Sequence, residues 1–256
     1  MCVDVILPCV QIDQSLIKSL RSLERQTFTN IKVYLVINSK EILAETETIS
    51  KILDDFLNLK IITVDGTLKK GAWFARNIGI SNSNSRFVAF LDCGDEFYQD
   101  HIADALDLLV ASDADIYYCS YLNQNVNKVW HEFRRCDMKL TLFDLVTLCP
   151  IGTSTVVLKR DVNPEFPAIM LRHDLACWGK LFLERYSFVN NPKVNVQRNV
   201  LNNSLSSKKY KTLKYYYYVY INVFGARLTT ILYWFAALLL RHFLRVFRRR
   251  SGYPQF

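Results

Sequence analysis

Apolar strand-like runs and amphipathic helical stretches alternate five times over about 120 residues of this chain, and few folds accommodate that rhythm. VDVIL at 3–7, bounded by Pro8, fits a buried first strand. Asp13 can cap a helix over 14–25, where Leu16, Leu20 and Leu23 recur at helical spacing. IKVYLVI at 31–37 is a second strand, Ile42–Leu57 a second amphipathic helix, and KIITV at 60–64 a third strand. Gly71 opens the helix GAWFARNIGISNS, which feeds a strand at 86–92. A helix over 100–111 and the strand DIYYCSY at 115–121 complete the series. Such alternation predicts parallel βαβ units in an α/β, doubly wound, Rossmann-like sheet flanked by helices.

Beyond 122 the rhythm weakens. Residues 122–150 read as an insertion or edge hairpin plus a short helix over 141–148. GTSTVVLKR at 152–160 is a strand, and HDLACWGKLFLERY at 173–186 is a helix with Leu175, Trp178, Leu181 and Phe182 on one face. From about 205 the composition changes in kind, so the chain divides into a main domain at 1–204 and a basic, aromatic C-terminal region at 205–256.

Charge follows the same division. Up to Glu184, the last acidic residue, there are 19 Lys and Arg against all 24 Asp and Glu; the other 13 basic residues follow with no acid among them. The seven cysteines show no CxxC spacing and are odd in number, which reads as reduced, buried thiols in the cytoplasm rather than a disulfide framework or zinc site. MCVDVILPCV has no basic leader and too short an apolar run for a secretion signal.

The chemistry concentrates in RFVAFLDCGDE at 86–96. A carboxylate at the C-terminal tip of a strand emerges where open α/β sheets bind ligands. Asp92, Asp95 and Glu96 crowd three negative charges into five positions, an arrangement that a cation or a metal-bridged phosphate would relieve. Spacing alone equally permits a solvated acidic turn capping the next helix.

Five blocks carry a resemblance. VDVILPCVQIDQSLIKSLRSLERQTFTNIKVYLVINS at 3–39, KKGAWFARNIGI at 69–80, FVAFLDCGDEF at 87–97, GTSTVVLKRDV at 152–162 and LRHDLACWGKLF at 171–182 together resemble the family 2 inverting glycosyltransferases of the GT-A fold, especially bacterial enzymes of surface polysaccharide synthesis. The resemblance covers roughly residues 3–190. It implies a nucleotide-sugar donor, with UDP-sugars foremost, a saccharide or lipid-linked saccharide acceptor, and Mg²⁺ or Mn²⁺ on the donor diphosphate as a Lewis acid.

By that resemblance Asp92 is the first carboxylate of the donor motif and Asp92 with Asp95 would hold the metal. Pro8 and Val10 would edge the nucleoside pocket, and Asn38 would face the base. Arg76 and Lys70 would offset phosphate charge. Asp174 would be the base that takes the proton from the acceptor hydroxyl. Each has a plainer reading beside it: Arg76 as a surface pair for Asp92, the lysines as a solvated turn, Asp174 as a helix cap. His173 stands where the family has Glu, Ile37 and Asn38 stand where it has two carboxylates, and Gly94 occupies the usual metal-binding Asp position. Gly94 permits a sharp turn by which Asp95 could reach the cation.

The tail holds YYYYVYINVF at 215–224 and LTTILYWFAALLL at 228–240, the second only 13 residues long, among Lys208, Lys209, Lys211, Lys214, Arg227, Arg241, Arg245 and Arg248–Arg250. That is short of the roughly 20 residues a span needs. An interfacial helix on an anionic membrane surface fits better, and packing on the domain or on a partner subunit is a third possibility. Nucleic acid is disfavoured, because the aliphatic run would have no role there. The expectation is a peripheral enzyme on the cytoplasmic face of the membrane. Its rivals are a catalytically inactive donor-binding homologue and a membrane-attached interaction protein.

Overall fold

The computed structural model describes residues 1–10, 12–38, 56, 58–64, 71–125, 128–134, 139–200, 209–225, 234 and 236. The helix expected over Ile42–Leu57 therefore lies outside the described residues, apart from Phe56.

Strands β1 (Val3–Cys9), β2 (Ile31–Asn38), β3 (Leu59–Val64) and β4 (Phe87–Phe90) form the parallel half of the sheet, in the order β3-β2-β1-β4. Helix α1 (Gln14–Glu24) links the first two, and α2 (Ala72–Asn82) leads into β4. Asp13 caps α1 as predicted, its Oδ1 accepting from Ser15 N at 2.8 Å and Leu16 N at 3.3 Å. Alternating residues of β1 serve two cores. Val3, Val5, Leu7 and Cys9 face the layer that holds α1, whereas Ile6 faces the other layer. Gly79 of α2 is pressed against Ile6 so closely that a Cβ there would lie 2.4 Å from Ile6 Cγ2. The fully buried Asp4 accepts from Asn84 N, Ser85 N and Ser85 Oγ at 2.6–2.8 Å, fixing the turn between α2 and β4.

The second half is mixed. β5 (Glu96–Phe97) is short, α3 (His101–Ala111) packs on the first core, and β6 (Ile116–Asn125) turns back through β7 (Lys128–Arg134) as the expected hairpin. Helix α4 (Leu142–Leu148) follows. The strand expected over 152–160 is shorter than predicted: Thr153–Thr155 form a 3₁₀ turn and only β8 (Val157–Lys159) pairs, antiparallel to β4 and β6. Then come α5 (His173–Leu183) and β9 (Phe188–Val200), a strand not foreseen from sequence, which runs parallel to β6. Among the described residues the strands form a nine-stranded sheet, parallel on one side and mixed on the other.

Helix α6 (Lys209–Asn222) begins the basic region and belongs to the fold. Val219 and Tyr220 are buried in the second core, and Tyr220 donates to the Val146 carbonyl at 2.9 Å. Trp234 packs on Tyr220 with ring centroids 5.2 Å apart. Among the described residues no helix is long and apolar enough to cross a membrane.

Candidate active site

The C-terminal ends of β1, β2 and β4 lie side by side, so Pro8, Asn38 and the residues after Phe90 share one edge of the sheet. Pro8 is buried in β1, Val10 just beyond it is 71% exposed, and Asn38 is buried at the last position of β2. Lys70 lies outside the described residues.

Asp92 follows β4 and begins a tight turn in which Asp95 N donates to the Asp92 carbonyl at 2.9 Å. Gly94 takes a φ of +95°, a conformation that costs a glycine little. Its N–H donates to Ser19 Oγ at 2.9 Å, and Ser19 Oγ donates to the Asp95 carbonyl at 2.7 Å, so α1 anchors the turn. The acidic residues are thus held by specific partners and none of them caps α3.

Arg76, buried on α2, bonds Asp92 Oδ1 through Nη2 and meets His173 Nε2 at 2.6 Å through Nη1. Its guanidinium lies over Phe166 at 5.1 Å. Phe166 is itself fixed by Asn77, which donates to its carbonyl at 2.8 Å and accepts from its N–H at 2.9 Å. Burial alone would raise the Asp92 carboxyl, yet Arg76, helped by Arg198 and His173, holds it below the usual range. Arginine has only donors, so His173 Nε2 must accept and the ring carries its proton on Nδ1. Burial, reinforced by the Arg76 charge, pushes His173 down to about 4, so it is neutral at pH 7. Arg76 does pair with Asp92, but from a buried position rather than on the surface. A His173–Arg76–Asp92 chain ties α5 to the strand tip.

Asp95 does not reach outward. Its side chain is 8% exposed; Oδ2 accepts from Ser154 Oγ at 2.6 Å and Oδ1 from Asn199 N at 3.1 Å. Ser154 Oγ also accepts from Asp92 N at 3.1 Å, so the 3₁₀ turn stitches both carboxylate-bearing residues together. Arg198 of β9 lies over the Tyr121 ring at 5.2 Å with Nε 3.5 Å from Asp95 Oδ2. Burial pushes the Asp95 carboxyl up to about 6, against the opposing pull of Arg198.

Asp95 does not stand beside Asp92 as a second outward-facing carboxylate. The turn at Gly94 carries Asp95 into the protein, where both its oxygens are hydrogen-bonded, and Asp92 is committed on one side to Arg76. Among the described residues no group of three or more His, Cys, Asp or Glu could hold a metal ion. The donor set does not fit a cation bridged by Asp92 and Asp95.

Asp174 stands in the first turn of α5, after Arg172 in a left-handed conformation with φ 64°. One of its oxygens accepts from Leu175 N at 2.8 Å, so it contributes to the helix start. Its charge, with those of Asp95 and Asp92, helps raise the pKa of Arg198. Arg172 lies over Tyr216 of α6 at 4.4 Å. Sequence reasoning missed Arg198, Arg172 and Ser154. The Val194–Val196 alternation was the signal for β9, hidden by Asn190, Asn191 and Pro192 ahead of it.

The model of the family described as glycosyl transferase family 2 matches residues 4–161. Over 215 residues the chain is 26% identical to the UDP-Glc:alpha-D-GlcNAc-diphosphoundecaprenol beta-1,3-glucosyltransferase WfgD of Escherichia coli, covering 83% of this chain and 82% of that protein. Residues 1–349 of S. aureus TarS, solved with UDP-GlcNAc, superpose with a TM-score of 0.70 at 20% identity, covering 95% of this chain and 73% of that one. The Pyrobaculum calidifontis mannosyltransferase PcManGT, solved with GDP-Man and Mn²⁺, gives 0.59 at 15% identity, covering 80% and 59%.

Proposed function

This chain belongs to glycosyl transferase family 2, and from that we propose that it moves one sugar from a nucleotide-sugar donor, a UDP-sugar foremost, to a hydroxyl of a lipid-linked saccharide, with inversion. The observation that carries the reading is the link of α2, the tip of β4 and α5 through Arg76, with Asp92 at one end and the Asp174 turn at the other. That UDP is the nucleotide draws support from WfgD, named for UDP-Glc and a diphosphoundecaprenol acceptor, and from the TarS complex with UDP-GlcNAc.

In this reading the nucleoside lies along Pro8, Val10 and Asn38, and Lys70 and Arg76 stand on the phosphate side. Asp174 takes the acceptor proton while the acceptor oxygen bonds to the anomeric carbon. The bond from that carbon to the donor phosphate oxygen breaks, and its electron pair leaves with the nucleoside diphosphate. No covalent enzyme intermediate is needed, so one carboxylate suffices as base. His173 is neutral and serves by holding Arg76, and through it Asp92, in place.

A lipid-linked acceptor places the enzyme at the cytoplasmic face of the membrane, held peripherally by the basic region beyond α6 on anionic lipid. The test is transfer of radiolabelled sugar from a panel of UDP-sugars to undecaprenyl diphosphate-linked GlcNAc and related acceptors. Transfer with inverted anomeric configuration is expected. Retained configuration would sink the single-displacement reading, and absence of transfer to any lipid-linked acceptor would sink the acceptor assignment.

A further inference from the structure

The two carboxylates assigned to a metal both point toward arginines. Asp92 is bonded by Arg76, and Asp95 is paired with Arg198 and closed off by Ser154 and Asn199. Gly94 places no ligand between them. The Nε atoms of Arg198 and Arg172 are buried and have no hydrogen-bond partner among the described residues. Arg198 is anchored by Tyr121 and Asp95, with its side chain one-third exposed. Arg172 is stacked on Tyr216 beside Asp174, the proposed base. A guanidinium held on a ring is a preorganised receptor for phosphate oxygens.

We infer that Arg198 and Arg172 receive the leaving diphosphate in place of a divalent cation, so that donor binding and transfer proceed without metal. As the bond from the anomeric carbon to the phosphate oxygen breaks, its electron pair settles on the diphosphate. Fixed N–H donors in a partly buried site stabilise that charge without reorganising. Asp95 is a positioning residue here, because it fixes Arg198 through an ion pair instead of coordinating a metal ion. The charge of Arg198 is secure, since Asp95, Tyr121 and Asp92 outweigh the effect of burial and raise its pKa.

The inference rests on the donor-site reading, and the experiment separates the two. Uridine diphosphate and uridine monophosphate are titrated calorimetrically into the full chain, once in excess EDTA and once with Mn²⁺. Diphosphate affinity in EDTA is expected within about threefold of that with Mn²⁺, a difference under ~1 kcal/mol. Arg198→Gln and Arg172→Gln should each weaken diphosphate binding about tenfold and the monophosphate much less, whereas Arg198→Lys should recover part of the loss. Loss of diphosphate binding in EDTA with recovery on Mn²⁺ would overturn the inference and leave the donor site standing. If no nucleoside diphosphate binds under either condition, the donor reading itself is wrong and the inference goes with it. Should an arginine variant fail to fold, the comparison of EDTA with Mn²⁺ on the unaltered chain still decides.

Discussion

Asp174 has one oxygen turned to the α5 backbone, and its role as base is separable from its role at the helix start. Asp174→Asn keeps an oxygen for Leu175 N and loses the ability to take a proton. Turnover is expected to fall about 10²- to 10⁴-fold, with nucleotide-induced thermal stabilisation unchanged; an equal loss in both would make Asp174 structural. A second residue, with His173, makes the fold sensitive to acid. His101 is fully buried between the Phe97 ring at 4.2 Å and the Tyr117 ring at 5.9 Å. Its Nδ1 lies 3.8 Å from Cys119 Sγ and its Nε2 has no hydrogen-bond partner among the described residues. Burial pushes its pKa down to about 3, with only Asp104 opposing. The unfolded chain therefore binds a proton at His101 below about 6.5 that the folded chain refuses. Stability is whole above that pH and declines between it and about 3. In urea titrations across this range, His101→Phe should flatten the decline, and an unchanged slope would show that another group governs it.

At the scale of elements, α2 is the piece that fold and site share. It carries Arg76, and it approaches β1 only because Gly79 has no side chain. Gly79→Ala puts a methyl group against Ile6 in a filled core, and the helix must move. A loss of ~1–3 kcal/mol is expected in the urea midpoint, together with weaker nucleotide binding as Arg76 shifts from Asp92. Full stability with unchanged binding would mean that Ile6 gives way instead. The parallel half, from β1 to β4, was legible because each strand is an apolar run with a short polar boundary, and because Asp13 and Gly71 mark helix starts. The mixed half was less so. β5 has only two residues, β8 only three, and β9 is a strand by virtue of pairing with β6 and despite Pro192. Pro192 and Lys193 fall in the register break between Cys119 and Ser120, and Asn195 in a second break between Ser120 and Tyr121. Local pattern does not announce pairing of that kind, which is why Arg198 and its effect on Asp95 escaped notice while Asp92, Arg76 and Asp174 did not.

For the molecule as a whole, the described part of the region beyond 204 packs on the domain. Helix α6 buries Val219 and Tyr220 in the second core, Gly179 of α5 lies under Phe224, and Trp234 covers Tyr220. Arg172, beside the proposed base, rests on Tyr216 of the same helix. Removing everything from 208 onward would therefore uncover the core and disturb the site, and loss of membrane binding in such a protein would say nothing about lipid. The charge beyond the core packing is the part to remove. Truncation after Leu240 deletes Arg241, Arg245 and Arg248–Arg250 and retains Trp234. Each basic residue near an anionic surface contributes about 1 kcal/mol, so five of them account for most of an electrostatic attachment. The truncated protein should melt within a few degrees of the full chain, bind uridine diphosphate equally well, and fail to co-sediment with phosphatidylglycerol vesicles that retain the full chain at low salt. Raising ionic strength should release the full chain from the same vesicles, because exposed charges are screened beyond a Debye length of about 10 Å at 0.1 M. Retention of the truncated protein at high salt would place the attachment in apolar insertion of the 228–240 run. If the full chain never binds, the region beyond α6 does not attach this protein to lipid.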